Sequence, residues 1–216
     1  MRAVGVGAGG HAKVVLELIQ AQGDIEVVGL VDADPHMKGK EVLGAPVLGG
    51  DELLAQLLSD GVQHAFIGVG GVGDNTPRRK VFELLKKHGY TVLSPIHSAA
   101  VVSPSAKIGE GTCLCAGSIV AAGATIGRDV IVNSGALVEH DCVVHDHVHV
   151  ASGAILAGSV VVGEGSHIGA GATVKQGVRI GRHAVVAMGA AVIEDVPDGG
   201  AVGGVPARPL GASVKR

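Results

Sequence analysis

The stretch IVAAGATIGRDVIVNSGALVEHDCVV, residues 119–144, carries an aliphatic residue at every sixth position. The same phase extends in both directions, and all seventeen places from Ile96 to Val192 in steps of six hold Ile, Leu or Val. This period predicts a solenoid in which each hexapeptide forms one flat side and one corner. Three hexapeptides, about 18 residues, would close one triangular coil with the aliphatic residues pointing inward. We therefore predict a left-handed parallel β-helix of hexapeptide repeats over residues 96–216, ending in a short tail.

Residues 1–95 follow a different pattern, in which short apolar runs alternate with helical segments. This alternation is typical of a parallel sheet with crossover helices. A segment of this size is half of a full dinucleotide-binding fold, so we predict a Rossmann-like α/β half-domain. The strands are predicted over residues 2–7, 26–31, 45–48, 64–69 and 90–93, and the helices over residues 12–22, 51–59 and 77–88.

The composition excludes several classes of protein. Glycine occurs 36 times, tryptophan is absent and the net charge is -3, with no block of Lys and Arg that could follow a nucleic-acid backbone. No apolar run reaches the length of a membrane span, and no cationic segment precedes an apolar one at the start, so we expect a cytoplasmic protein. We expect Cys113, Cys115 and Cys142 to be buried without a disulfide. Smooth apolar sides on the coil favour a closed homotrimer.

Short motifs along nearly the whole chain resemble one known family. They are GAGGH (residues 7–11), VD (31–32), IGVG (67–70), IHSA (96–99), Asn133, EHDC (139–142) and GGVPAR (203–208). In this order they resemble the hexapeptide-repeat sugar acyltransferases of the sialic acid O-acetyltransferase and bacillosamine-pathway N-acetyltransferase type. The resemblance implies acetyl-CoA as co-substrate and a nucleotide-linked sugar as acceptor.

The motif Glu139-His140-Asp141 is the expected catalytic centre. An amine or hydroxyl that attacks a thioester must lose a proton, and histidine has the side chain best suited to accept it near neutral pH. The resemblance implies that His140 is the general base and that Asp141 raises its basicity, although many similar enzymes have Glu at that place. The sequence leaves open whether Asp141 or Glu139 is the partner of the ring.

The resemblance also implies two sets of binding residues. For the nucleotide-sugar they are Gly9, Gly10 and His11 near the sugar or phosphate, Asp32 near the nucleoside, and Gly70 near the sugar. For acetyl-CoA, His149 would contact the co-substrate from a neighbouring subunit, and backbone along the pantetheine arm would come from Gly158, Ala170, Met188 and Gly189.

Two other functions fit parts of the sequence. Gly5, Gly7 and Gly10 match the G-x-G-x-x-G pattern of nicotinamide enzymes, with Asp32 at a suitable distance, but residues 1–95 are too short for that fold. His145, His147 and His149 alternate, as zinc ligands on one strand would. His140 and His145 have the spacing of a histidine pair in trimeric carbonic anhydrases, yet the third ligand is missing upstream. We expect no metal and interpret His145, His147, His167 and His183 as surface residues.

The sequence therefore predicts an acetyl-CoA-dependent N-acetyltransferase that acts on the amino group of a UDP- or GDP-linked amino-deoxy sugar. A sugar O-acetyltransferase of the sialic acid type and a non-catalytic nucleotide-sugar-binding trimer remain as alternatives.

Overall fold

The amino-terminal part of the chain is a six-stranded sheet with helices, seen in a computed structural model that describes residues 1–211. The last five residues of the predicted second domain lie outside that range. The strand order is β3-β4-β2-β1-β5-β6, and all neighbours are parallel except β3 and β4. The elements are β1 (Arg2–Val6), α1 (Gly10–Gln22), β2 (Glu26–Val31), β3 (Glu41–Val42), β4 (Ala45–Gly49), α2 (Leu54–Ser59), β5 (His64–Ile67), α3 (Thr76–His88) and β6 (Thr91–Val92), with 3-10 turns at Pro35–Met37 and Asp51–Leu53.

The predicted elements are present, with small differences at their ends. Strand β5 ends at Ile67, two residues before the predicted end, because the chain turns away where Gly68 passes so close to Gly7 that a Cβ would collide with the Gly7 carbonyl oxygen. The predicted helix at 51–59 begins as a 3-10 turn and becomes helix α2 at Leu54. The edge strand β3 was not predicted, since two residues carry too little pattern.

The second part of the chain is a stack of triangular coils. Through most of the coil each two-residue strand pairs in parallel with the strand 18 residues later, as Ile119 does with Leu137. At the carboxyl end the spacing falls to 16 residues between Val185 and Ala201, and the last strand, Arg208–Pro209, is antiparallel to its neighbour. Three sheets result, and their stacking fits a left-handed β-helix. The first face contains Val101–Val102, Ile119–Val120, Leu137–Val138, Ile155–Leu156, Thr173–Val174 and Ala191–Val192; the second contains Lys107–Ile108, Thr125–Ile126, Val143–Val144, Val161–Val162 and Arg179–Ile180; the third contains Cys113–Leu114, Ile131–Val132, His149–Val150, His167–Ile168, Val185–Val186, Ala201–Gly203 and Arg208–Pro209.

The inward side of every face is the aliphatic column that the six-residue period predicts. Val120, Val138 and Leu156 are at most 1% exposed, and they belong to one continuous core that runs through the coils. Backbone hydrogen bonds join each coil to the next, so the narrow prism satisfies its own polar groups. The prediction that the aliphatic positions point inward is confirmed.

Corners connect the faces, and most of them turn through a residue with positive φ. Glycine occupies many of these positions, as expected, but Asp129, Asp141, His147, Ser159 and His183 also adopt this conformation. A non-glycine residue there costs on the order of 1–3 kcal/mol, which points to a role for the side chain. We call the corners by their order. The first corner joins the first and second faces (103–106, 121–124, 139–142, 157–160, 175–178), the second joins the second and third (109–112, 127–130, 145–148, 163–166, 181–184), and the third joins the third and first (115–118, 133–136, 151–154, 169–172, 187–190).

The α/β domain lies against the third face and the second corner. The buried Asn75 at the start of α3 donates from Nδ2 to the carbonyls of His147 and Ser166, both at 3.0 Å. Cys113 and Cys115 are buried among residues of β1 and α1, as free thiols. No helix within residues 1–211 has the length and apolar character needed to cross a membrane.

Candidate active site at the first corner

His140 and Asp141 form a hydrogen-bonded pair on the first corner. The Nδ1 atom of His140 lies 2.9 Å from Oδ2 of Asp141. A carboxylate can only accept, so Nδ1 carries the proton and Nε2 presents its lone pair. Glu139 instead accepts a hydrogen bond from the backbone N–H of His140, at 3.2 Å. Of the two carboxylates that the sequence left open, Asp141 is therefore the one that contacts the ring.

The hydrogen bond to Asp141 raises the pKa of His140 above the ordinary histidine value, with a smaller contribution from the charge of Glu139. The ring is thus a stronger base than a free histidine. The side chains of His140 and Asp141 are 53% and 67% exposed. With so much of both side chains exposed, a single chain encloses the base on one side only.

Two glycines make room for this pair. A Cβ on Gly158, one coil after His140, would lie 2.6 Å from its Nε2 atom. A Cβ on Gly123, one coil before Asp141, would lie 2.7 Å from its Oδ1 atom. Both contacts are too short for real atoms, so the glycines are required for the observed geometry. The resemblance implied a backbone role for Gly158. Gly123 was not predicted, although its spacing of 18 residues from Asp141 could have revealed it.

A second set of predicted residues lies at the carboxyl edge of the α/β sheet. Asp32 follows β2 and accepts hydrogen bonds from the backbone N–H groups of Ala8 (2.6 Å) and Asp34 (2.8 Å). It thereby shapes the loop that enters α1. Gly9 and Gly10 open that helix without any side-chain cap, and a Cβ on either would meet nothing within 4 Å. The open backbone N–H groups of such a helix start suit an anion.

His11, Gly70 and His149 come together where this edge meets the third face. A Cβ on Gly70 would lie 3.3 Å from Cβ of His11. The ring of His149 donates from Nδ1 to the carbonyl of Gly71, and its Nε2 lies 3.1 Å from the Asn133 amide nitrogen. Burial lowers the pKa of His11 to about 3 and that of His149 to about 4, so both rings are neutral near pH 7.

The remaining predicted residues occupy another edge of the coil. Ala170, Met188 and Gly189 lie on the third corner and are exposed, Met188 by 79%. The third corner borders the first face on the side away from His140. Within a single chain the structure therefore does not bring the predicted acetyl-CoA residues to the base, except for Gly158.

Several sequence interpretations need correction. His147 and His167 are buried, each 7% exposed, and are not surface residues. His147 is held by Asp129 (Nδ1 to Oδ2, 2.8 Å), and His167 packs edge-on against His149. His145, His147 and His149 do not share a strand, because the first two lie on the second corner. Within residues 1–211, no group of three or more His, Cys, Asp or Glu side chains could hold a metal.

Gly5 does not take part in a phosphate loop either, so the G-x-G-x-x-G pattern is fortuitous. It lies inside β1, where a Cβ would collide with Leu30 and Phe66. The residues that sequence reasoning missed are Gly71, Asn75, Arg78 and Asp129. Arg78 is 3% exposed and pairs with Asp129, which is 1% exposed, at 2.8 Å.

Comparison with known proteins shows which family this chain is similar to. The domain family described as the PglD N-terminal domain matches residues 4–85. A solved structure of a histidine variant of perosamine N-acetyltransferase from Caulobacter crescentus, in complex with CoA and GDP-perosamine, is 41% identical with a TM-score of 0.92, over 98% of this chain and 97% of that chain. The acetyltransferase domain of PglB from Neisseria gonorrhoeae FA1090 is 39% identical with a TM-score of 0.88, over 97% and 99% of the two chains.

A sequence relative, UDP-N-acetylbacillosamine N-acetyltransferase from Bacillus subtilis (strain 168), is 40% identical over 113 residues. That match spans 51% of this chain and 50% of the relative, so the chain is aligned with about half the length of that protein. The solved structures, by contrast, match over both domains. The chain belongs to the hexapeptide-repeat sugar N-acyltransferase family.

Proposed function

We propose that the protein transfers the acetyl group of acetyl-CoA to the amino group of a UDP- or GDP-linked amino-deoxy sugar. The observation that carries this proposal is the His140–Asp141 pair, with a free Nε2 beside the bare backbone of Gly158. The similar structure from Caulobacter crescentus, named for N-acetylation and solved with CoA and GDP-perosamine, supports both substrates.

His140 would act as the general base. As the amine nitrogen bonds to the acetyl carbonyl carbon, it loses a proton to Nε2 of His140. The C–S bond then breaks, the amide forms and the CoA thiolate takes up a proton from the imidazolium. Asp141 stabilises the positive ring during the interval between these two steps.

The α/β domain, a Rossmann-like half-domain, would hold the nucleotide-sugar. The uncapped start of α1 at Gly9 and Gly10 would receive the diphosphate through backbone N–H groups. His11 and Gly70 lie between this helix start and the third face, and they would contact the sugar. Asp32 keeps unused lone pairs after its two backbone contacts and would serve the nucleoside side.

The complete site would be shared between chains of a homotrimer. In a triangular coil the first corner lies opposite the third face, so His140 faces away from the α/β domain of its own chain. The first face presents an apolar stripe beside His140, in which Val101, Ile119 and Ile155 are 60%, 39% and 38% exposed. Packing this stripe on a second copy would bring the first corner of one chain to the third corner, His149 and α/β domain of the next. His149, which is 6% exposed and has both ring nitrogens in contact with Gly71 and Asn133, would then support the wall of the acetyl-CoA site of its neighbour.

Mixing two inactive variants tests both the base and the sharing. We expect His140→Ala to retain its fold and lose on the order of 10²–10⁴ in kcat, measured as thiol release with a panel of UDP- and GDP-linked amino sugars that includes GDP-perosamine. His11→Ala should impair the sugar site. If sites are shared, refolding the two variants together at equal amounts restores about a quarter of wild-type activity, since random assembly pairs intact halves with that frequency.

Three results would contradict the proposal in separate ways. No recovery on mixing would place each site within one chain. Wild-type turnover by His140→Ala would exclude His140 as the base. Thiol release only with sugars that lack a free amine would indicate O-acetylation, and no release with any sugar would indicate a binding protein.

A further inference from the structure

Arg78 is a buried cation that takes no direct part in the proposed transfer chemistry. It lies in the first turn of α3 and is 3% exposed. Its Nε lies 2.8 Å from Oδ1 of Asp129, an ion pair that lacks hydrogen-bond alignment, and its Nη atoms donate to the carbonyls of Val69 (2.8 Å) and Gly111 (3.1 Å). One side chain therefore connects the loop after β5 with two turns of the second corner.

The coil holds this guanidinium firmly. Asp129 is itself buried and adopts a positive φ of 55°, and its second carboxylate oxygen contacts Nδ1 of His147 at 2.8 Å. His147 also adopts a positive φ, and its carbonyl accepts from Asn75 of the same helix α3. The network closes on itself, so Arg78 cannot swing away without leaving a buried charge unpaired.

The same guanidinium faces a predicted substrate residue. Nη1 of Arg78 donates one hydrogen to the carbonyl of Val69, and its other hydrogen is shared between the carbonyl of Ile67 at 3.4 Å and Nε2 of His11 at 3.5 Å. Arginine has only donors, so the nitrogen that His11 turns towards it must present a lone pair. The proton of the neutral ring is then on Nδ1, on the side that faces Gly70.

We propose that Arg78 is a positioning residue of the sugar site: it fixes His11 as a neutral donor through Nδ1 and holds residues 68–71 opposite that donor. The inference rests on the proposed function, in which His11 meets the nucleotide-sugar. A fixed N–H donor selects an oxygen acceptor, such as a sugar hydroxyl or diphosphate oxygen.

Charged and titratable neighbours on each side agree with a neutral His11. Burial lowers the pKa of His11 to about 3, with further lowering by Arg78 from α3 and by His149 from the third face. No carboxylate hydrogen-bonds to the His11 ring in the part of the chain that is described, whereas Asp141 does so to His140. Both rings are thus assigned the Nδ1–H tautomer, but the atom left for substrate differs: it is the Nε2 lone pair in His140 and the Nδ1–H donor in His11.

Long-range ¹H–¹⁵N correlation of the ¹⁵N-labelled full chain tests the tautomer. The His11 signals are assigned as those lost in His11→Gln. We expect the wild-type ring to show the Nδ1–H tautomer and no titration between about pH 8 and 5. In Arg78→Gln, the ring should show a mixture of tautomers, because glutamine can accept as well as donate.

The two KM values of the Arg78→Gln variant distinguish a positioning role of Arg78 from a general loss of structure. Arg78→Gln should raise KM for GDP-perosamine, or for the preferred sugar of the panel, roughly tenfold while KM for acetyl-CoA stays unchanged. The matched control is Arg79→Gln, since Arg79 is the next residue and pairs with Glu83 and Glu164. The control should keep both the His11 signals and the two KM values.

A wild-type His11 that is charged or protonated on Nε2 overturns the inference, as do unchanged His11 signals in Arg78→Gln. The wild-type spectrum needs no variant, so it decides the matter even if Arg78→Gln does not fold. A wild-type protein with the Nδ1–H tautomer that acetylates no nucleotide-sugar would defeat the proposed function and leave the tautomer assignment standing.

Discussion

Asp141 combines two features that seldom occur in one residue. It adopts a positive φ of 59° on the first corner, and its carboxylate accepts from the ring of the preceding residue. Other turns of the coil place glycine at this position, as at Gly123 and Gly177. The strained backbone of Asp141 turns its carboxylate towards Nδ1 of His140. Such backbone strain is common at functional sites.

Removing the charge of Asp141 should move the pH dependence of acetyl transfer. A base works in its neutral form, so kcat/KM rises with pH through the pKa of His140, which Asp141 raises. In Asp141→Asn that pKa falls, and the rising limb should shift to lower pH while the maximal rate drops by about tenfold or more. A pH profile of thiol release measures both effects.

Glu139→Gln is the matched control, because Glu139 accepts a hydrogen bond from the backbone N–H of His140 and not from its ring. The rising limb of the pH profile of Glu139→Gln should move much less than that of Asp141→Asn. An equal shift in the two variants would mean that general negative charge, and not the hydrogen bond, determines the basicity.

Individual residues also show where sequence reasoning reaches its limit. The six-residue period placed His140 and Asp141 on a corner because inward and corner positions in a solenoid follow directly from the repeat. Arg78 and Arg79 look alike in sequence, yet one is 3% exposed and the side chain of the other is 38% exposed. Only the packing of α3 on the second corner distinguishes them. The burial of His147 and His167 was missed for the same reason.

At the scale of elements, the first face is the one with an exposed apolar stripe. The third face is covered by the α/β domain, and the second presents Lys107, Thr125 and Arg179. A stripe of this kind on a stable fold marks a contact with another chain.

A charge on the stripe should dissociate the proposed trimer. We expect Ile119→Glu combined with Ile155→Glu to give monomers that keep their secondary structure but lose acetyl transfer, since a buried unpaired carboxylate is costly. Light scattering after gel filtration gives the mass, and circular dichroism gives the fold. Thr125→Glu, at an exposed place on the second face, is the control and should remain trimeric. An active monomer would refute a shared site.

Across the whole molecule, three wholly or partly buried histidines link stability to pH. Burial lowers the pKa values of His11, His149 and His167 below the ordinary value of 6.5, to about 3 and about 4 for the first two. Below pH 6.5 the unfolded chain takes up protons at these rings and the folded chain does not. The free energy of unfolding should therefore fall as the pH drops from about 6.5 towards 4.

Denaturant unfolding at a series of pH values measures this slope. His149→Gln should make it shallower, whereas the same change at His36, which is exposed, should not. Stability that stays constant from pH 6.5 to 5 would show that the rings are protonated in the folded protein.

The spacing of the two glycines around the catalytic pair limits which insertions and deletions the gene can tolerate. His140 depends on Gly158 and Asp141 depends on Gly123, each one coil away. Inserting or deleting a single codon between residues 123 and 141 would therefore separate Gly123 from Asp141, and the same change between residues 140 and 158 would separate His140 from Gly158. Gain or loss of a complete eighteen-codon unit beyond Val192 would leave these pairings intact. The gene can therefore vary in length at the far end of the coil, while the segment from Gly123 to Gly158 is expected to evolve by substitution alone.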